Sequence, residues 1–189
     1  MTLPPTFNPA ILPVLKDTTL KKTLVVVEPG QVLSTAYWLE DSYGFMYTST
    51  PDKDGKPIIK ILRIYGPKTI MLDPTGFFEN EPSEYYLAIV KGATIVPFQV
   101  QDFINLKDEV PEAEALANCV LAELNKQAHT RNAILNVKGD ARYQELIKQY
   151  GIGVSQCFSQ KDLASYLEYV PTYQSRLNSK NLRRKNRKP

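Results

Sequence analysis

At 189 residues and 21.4 kDa, with 43% hydrophobic and 23% charged residues, the chain holds enough apolar material for a sizeable core, in one domain or two small ones, which excludes general disorder. Its two cysteines, Cys119 and Cys157, are too few for a disulfide scaffold, and its lone histidine, His129, excludes metal sites built from several histidines and leaves any nucleophile one base. The net charge of +3 is uneven: seven Lys/Arg and no Asp/Glu lie between Arg176 and Pro189, leaving a net of −4 over positions 1–175, and a basic block of this kind meets a polyanion or is a solvated tail.

The start, Met1-Thr2-Leu3-Pro4-Pro5, shows no basic stretch followed by an apolar run, so no signal peptide is expected. Purely aliphatic runs are about four residues, far from the roughly 20 that span a bilayer, so a soluble, cytoplasmic chain without membrane contact is expected. Residues 1–20 are Pro-rich and weakly patterned. From Lys22 to Phe103 the texture is β. Runs at Leu24–Val27, Tyr37–Leu39, Phe45–Thr50, Ile58–Ile64, Thr69–Leu72, Tyr85–Val90 and Thr94–Val100 are separated by Gly, Pro and Asp turn signals. Such punctuation predicts an antiparallel sandwich or barrel rather than βαβ units, with Thr48–Ile58 as a hairpin loop.

Helices follow. Gln101–Leu106 reads as a short helix, and Pro111 suits the first position of a long one. Ala113, Ala117, Val120, Leu124 and Ala128 recur at helical spacing, and Leu116 and Leu121 widen the stripe to a second face, which fits packing on the sheet domain and on a second copy, or burial against its own domain alone. His129 reads as a surface residue of this helix. Asp140 suits an N-cap for a helix bearing Tyr143, Leu146, Ile147 and Tyr150 and ended by Gly151. Ser159-Gln160-Lys161-Asp162 is a weak relative of a capping box, opening a helix with Leu163, Ala164 and Leu167 inward. A short break, Glu168-Tyr169-Val170, precedes a last helix that runs into the basic tail. By spacing alone this is a weak helix-turn-helix signal.

Asp140-Ala141-Arg142-Tyr143-Gln144-Glu145-Leu146-Ile147, then Leu163-Ala164-Ser165-Tyr166-Leu167, Pro171-Thr172 and Ser175-Arg176, resembles the C-terminal domain of Crp/Fnr-family transcription regulators. Tyr37-Trp38-Leu39-Glu40, the loop Asp54-Gly55-Lys56 and Glu81-Pro82-Ser83-Glu84 resemble that family's N-terminal roll. The resemblance runs from about Lys22 to Lys185. It implies an α+β chain: an antiparallel β-roll or jelly-roll of the cyclic-nucleotide-binding type over 1–107, a dimerisation helix over 108–137, and a helix-turn-helix domain with a basic tail and no full wing over 138–189. It implies double-stranded DNA and a second copy as partners, with a small-molecule effector of unidentified chemistry. Thr172, Tyr173, Gln174, Ser175 and Arg176 would lie at the DNA, because Gln and Arg read adenine and guanine edges in a bidentate way. Lys180, Arg183, Arg184 and Lys185 would hold phosphates. Ala113, Ala117, Val120 and Leu124 would form the dimer seam, and Tyr37, Phe77, Glu79 and Tyr86 the ligand pocket.

Three positions depart from the family pattern. No Lys or Arg lies between Asp73 and Val90, where cyclic-nucleotide binders carry a phosphate-clamping Arg, so cyclic AMP and cyclic GMP are expected not to bind. Any ligand of the roll is then neutral or apolar. Glu168 stands where the turn usually has Gly, at a cost of about 1–2 kcal/mol if the backbone is left-handed. Gln174 stands where the recognition helix usually has an apolar residue. These departures keep a second reading open, a β-roll sensor or protein-interaction module that has lost sequence-specific DNA binding. An enzyme is not expected: no phosphate-cradling Gly loop or nucleophile–base spacing is present, no cofactor or metal is implied, and Glu79, Glu81 and Glu84 read as a solvated acidic loop.

Overall fold

The computed structural model describes residues 18–109, 112–139 and 141–169. The expected helix start at Pro111 and N-cap at Asp140 lie outside the described residues. Short β-branched and aromatic runs cut by turns give eight strands: β1 (Thr18–Thr19), β2 (Leu24–Val27), β3 (Thr35–Leu39), β4 (Gly44–Pro51), β5 (Pro57–Tyr65), β6 (Thr69–Met71), β7 (Tyr86–Ile89) and β8 (Thr94–Gln99). They form two four-stranded antiparallel sheets, ordered β1-β8-β3-β6 and β2-β7-β4-β5. The β4–β5 hairpin is the longest ladder, from Gly44 opposite Tyr65 to Pro51 opposite Pro57. Its turn is closed by Asp52, whose carboxylate accepts from the amides of Asp54 and Lys56, while Gly55 takes a left-handed φ of 78°.

Period-two alternation sends β4 to two different cores. Met46 joins Val27, Leu39, Met71, Leu87 and Ile89 inside the roll. Phe45 and Tyr47 point the other way, into a second cluster with Ile61, Ile64, Leu146, Val154, Phe158, Leu163 and Tyr166. One sheet is therefore apolar on both faces: one lines the roll and the other receives the C-terminal helices. Gly44 has no room for a side chain, because a Cβ there would collide with Met71 Sδ.

Between β6 and β7 the chain makes a five-residue π-helix, Thr75–Glu79, ended by Asn80 in the left-handed region. Gly76 lets this turn press on the backbone of Leu33, 2.8 Å from where its Cβ would lie. Five helices follow: α1 (Val100–Glu109), α2 (Glu112–Asn136), α3 (Ala141–Tyr150), α4 (Val154–Cys157) and α5 (Gln160–Tyr166). The α+β class holds. In detail, α1 outruns the predicted Gln101–Leu106, and α2 continues past Ala128 to Asn136. The single turn α4 has no sequence signal beyond its neighbours. No described helix is long and apolar enough to cross a membrane.

Candidate nucleic-acid interface

The readout residues expected from the sequence, Thr172, Tyr173, Gln174, Ser175 and Arg176, and the tail cations Lys180, Arg183, Arg184 and Lys185, lie outside the described residues. What is described is the helical segment that precedes them in the chain, here called the platform.

That platform begins at Ser159. Its Oγ accepts from the amide of Asp162, and the Asp162 carboxylate accepts from the Ser159 amide, so both members of the capping box are made. The box sets the first turn of α5. Leu163, Ala164 and Leu167 are then buried, as their spacing predicts, and Tyr166 is buried with them. Glu168 follows at φ 54°, a left-handed residue with a Cβ, so the turn does carry the strain expected for a non-Gly side chain there.

Two arginines tie this turn to the helices before it. Arg142 Nε donates to the Val137 carbonyl at 2.7 Å, and its Nη1 donates to the Leu167 carbonyl at 2.9 Å. It thereby caps the end of α2 and of α5 together. Arg131, on α2, reaches Glu168 Oε1 at 3.1 Å, and its guanidinium lies 5.4 Å from the Tyr166 ring centroid. Arg131 is largely covered, so the pair is less screened than a surface one. The hydroxyl of Tyr169 closes the same corner by donating to the Gly139 carbonyl.

The platform is also fastened to the roll. Strand β5 is a sheet edge, and Ser165 of α5 fills two of its open backbone positions. The Ile61 amide donates to Ser165 Oγ at 3.1 Å, and the Ser165 hydroxyl donates to the Ile59 carbonyl at 3.0 Å. Tyr43 donates to the Tyr150 carbonyl at 2.8 Å, and the hydroxyls of Tyr150 and Tyr166 meet at 3.1 Å. Burial pushes the phenols of Tyr150 and Tyr166 well above their ordinary range. None of these residues was marked by the sequence as functional. Their only signal is polar side chains on an otherwise apolar face.

The residues expected to line a ligand pocket do not share one surface. Tyr37 packs against the roll core, and burial raises its phenol. Phe77 is buried in that core. Glu79 is exposed at the end of the π-helix. Tyr86 lies on the other face of its sheet, stacked on Tyr47 at 4.9 Å between centroids. Pleat parity explains this: Leu87 and Ile89 point inward, so Tyr86 cannot. Glu81 and Glu84 are exposed, as Glu79 is, and among the described residues no group of acidic, Cys or His side chains could hold a metal.

The residues expected in the dimer seam are also divided. Leu124 is 4% exposed and belongs to the chain's own roll core, with Val120 packed beside it. Ala117 is half-buried, and the side chain of Ala113 lies outside the described residues. Leu121 and Ala128 are exposed.

No protein-family model matches the sequence, and no curated protein does. The fold does match solved structures. FixK2 from Bradyrhizobium japonicum superposes with a TM-score of 0.65 at 12% identity, over 88% of this chain and 83% of that one. CLP of Xanthomonas campestris, a global regulator responsive to c-di-GMP, gives 0.63 at 13%, over 91% and 88%. TTHB099 from Thermus thermophilus, a transcriptional regulator of the CRP family, gives 0.59 at 18%, over 90% and 85%. A cyclic-nucleotide-binding-like β-roll, a long helix and a compact helical unit docked behind it, in that order and over most of each chain, are the fold of the Crp/Fnr regulators, and this chain has it.

Proposed function

We propose that the chain is a dimeric, DNA-binding transcription regulator of the Crp/Fnr type that does not respond to cyclic AMP. The observation that carries this reading is the corner after α5. A capped helix ends in a left-handed residue, the corner is braced by Arg131 and Arg142, and the chain then enters Pro171–Arg176 and a tail of seven cations. A helix-turn-helix needs a rigid first helix and a fixed turn to aim its second helix at the major groove. The fold shared with the regulators CLP and TTHB099 supports the same assignment.

The segment that resembles the nucleotide cassette supports the second half. Asp73 is buried and its Oδ2 has no hydrogen-bond partner, and the following residues add Glu79, Glu81 and Glu84 without a cation. A cyclic phosphate placed here meets carboxylates and no cation. The effector is then neutral or apolar.

Selection of bound sequences from a random duplex pool tests the assignment. Enrichment of a palindrome with half-sites about 10 base pairs apart is expected from a two-fold dimer. Retention of DNA with no enriched site would replace it with the sensor or interaction module. Calorimetric titration with cyclic AMP and cyclic GMP should show no binding near 1 μM, a level that would require about −8 kcal/mol from this acidic segment.

A further inference from the structure

Helix α2 turns one inward stripe toward both cores. Val120 and Leu124 pack in the roll, and Ile134 packs in the helical unit. Between them, at the same alternating spacing of three and four, stand Gln127 and Arg131. Polar side chains at the junction of two apolar cores need partners, and these two are not fully supplied. Gln127 is 7% exposed and its Oε1 has no hydrogen-bond partner, nor has the buried Nε of Arg131. About one helical turn separates the two residues, so one small group that donates to the first and accepts from the second reaches both. The elements facing this stripe add positive charge and a donor. Arg63 of β5 lies 5.8 Å from the Tyr65 ring centroid and makes no ion pair with a described carboxylate. Burial raises the phenols of Tyr150 and Tyr166, and the charges of Arg63 and Arg131 partly oppose it, which places both cations around one pair of hydroxyls. Those hydroxyls bond each other, which uses one proton and leaves the second without an acceptor among the described residues. The carboxylates close by are engaged: Glu168 with Arg131 Nη2, and Glu123 with Lys126.

These groups together select a ligand. A neutral molecule would satisfy Gln127 and Arg131 and leave the charge of Arg63 unpaired. A fully deprotonated anion would satisfy the guanidiniums and face Gln127 Oε1 with lone pairs only. We propose that the junction of β5, α2 and α5 binds a small oxyanion that keeps one O–H at neutral pH, with hydrogen phosphate as the fitting case. Its charged oxygens accept from Arg63 and from Arg131 Nε, and its hydroxyl donates to Gln127 Oε1. The remaining phenol proton of the Tyr150–Tyr166 pair supplies a further donor. This site is apart from the acidic segment after β6 and is opposite to it in charge. It adjoins the corner after α5, because the same Arg131 holds Glu168. The bound anion therefore ties the roll, α2 and that corner together.

Calorimetric titration of the full chain with inorganic phosphate at pH 7 and constant ionic strength tests it, with sulfate as the counterpart that carries no proton. The expected result is a phosphate dissociation constant below about 1 mM, with sulfate at least about tenfold weaker because Gln127 Oε1 stays unpaired. Gln127→Leu removes that acceptor and should make the chain take the two anions alike. Arg63→Gln should weaken phosphate by about tenfold or more. Circular dichroism should show both variants folded, since Leu suits the apolar surroundings of position 127 and Arg63 is only half-buried and outside the Arg131–Glu168 brace. The tail cations would hold phosphate and sulfate alike, so truncation after Leu182 should leave both the affinity and the preference unchanged. No phosphate binding up to about 10 mM would overturn the proposal. So would equal binding of sulfate by the unmodified chain, unaltered affinity and preference in both variants, or loss of binding with the tail. A chain that retains no DNA and still binds phosphate in this way keeps the site and loses the regulator assignment, and the reverse result keeps only that assignment.

Discussion

Ser165 shows how one hydroxyl joins two units of the chain. The open edge of β5 presents an amide at Ile61 and a carbonyl at Ile59, and Ser165 satisfies both. Ser165→Ala leaves both backbone groups without that partner under a packed helix. The expected cost is about 1–3 kcal/mol, measured by urea unfolding. Glu168 balances opposing effects. Its left-handed backbone costs about 1–2 kcal/mol, while its pair with Arg131 returns up to about 1 kcal/mol because Glu168 itself is half-exposed. Two variants separate these. Glu168→Ala keeps the strain and loses the pair, so it should be the least stable of the three. Glu168→Gly loses both and should exceed Glu168→Ala by about 1 kcal/mol. Equal stability of the two variants would mean that the turn is not strained.

At the scale of elements, α2 is the busiest. One side closes the roll with Val120 and Leu124, its C-terminal half packs Ile134 into the helical unit, and the side bearing Asn118, Asn125 and Asn132 is exposed. A change should therefore act on stability according to its side. Leu124→Ala should cost about 2–5 kcal/mol of unfolding free energy, as for other buried leucines. Leu121→Ala should stay within about 0.5 kcal/mol in the same urea titration. A negligible effect of Leu124→Ala would place α2 away from the roll core. The apolar stripe was legible in the sequence at Ala117, Val120 and Leu124. Its partner was not, because a helix stripe reports that a face is covered and says nothing about whether the cover is the chain itself or a copy.

At the scale of the whole molecule the fold predicts a sensitivity to alkali and the proposed DNA binding one to salt. Tyr65, Tyr150 and Tyr166 are largely buried, and burial raises all three phenols above their ordinary value of about 10. Above pH 10 the unfolded chain releases these protons and the folded chain does not. Stability is therefore fully present below about pH 10 and falls as pH rises, by at most about 1.4 kcal/mol per unit for each tyrosine. Of the eleven tyrosines, the last to give tyrosinate absorbance should do so together with unfolding, and Tyr166→Phe should flatten the decline. If ionisation preceded unfolding, these phenols would be accessible and the docked platform wrong. For DNA, a dimer that uses three or four cations of each tail contacts about six to eight phosphates. The slope of log affinity against log salt is then roughly −5 to −7. Truncation after Leu182 removes five of the seven charges and should flatten it for every sequence. Arg176→Ala should instead cost about 1–3 kcal/mol on the selected site and little on random DNA.

By itself the sequence determined what depends on neighbours along the chain. Seven strand runs, the Asp52–Lys56 turn, the capped start of α5 and the buried Leu163, Ala164 and Leu167 all follow from local period, turn chemistry and capping. The resemblance of its motifs added the order of the parts. Tertiary structure decided everything that needs a second surface. It put Tyr86 outside the roll, because a pleated strand with Leu87 and Ile89 inward has no other place for it. It gave Ser165 to the edge of β5, more than a hundred residues away in sequence, and gave Arg131 to the turn at Glu168. A hydroxyl or a guanidinium shows its chemistry in the sequence, but its partner is chosen only when the chain closes and leaves one unpaired group within reach.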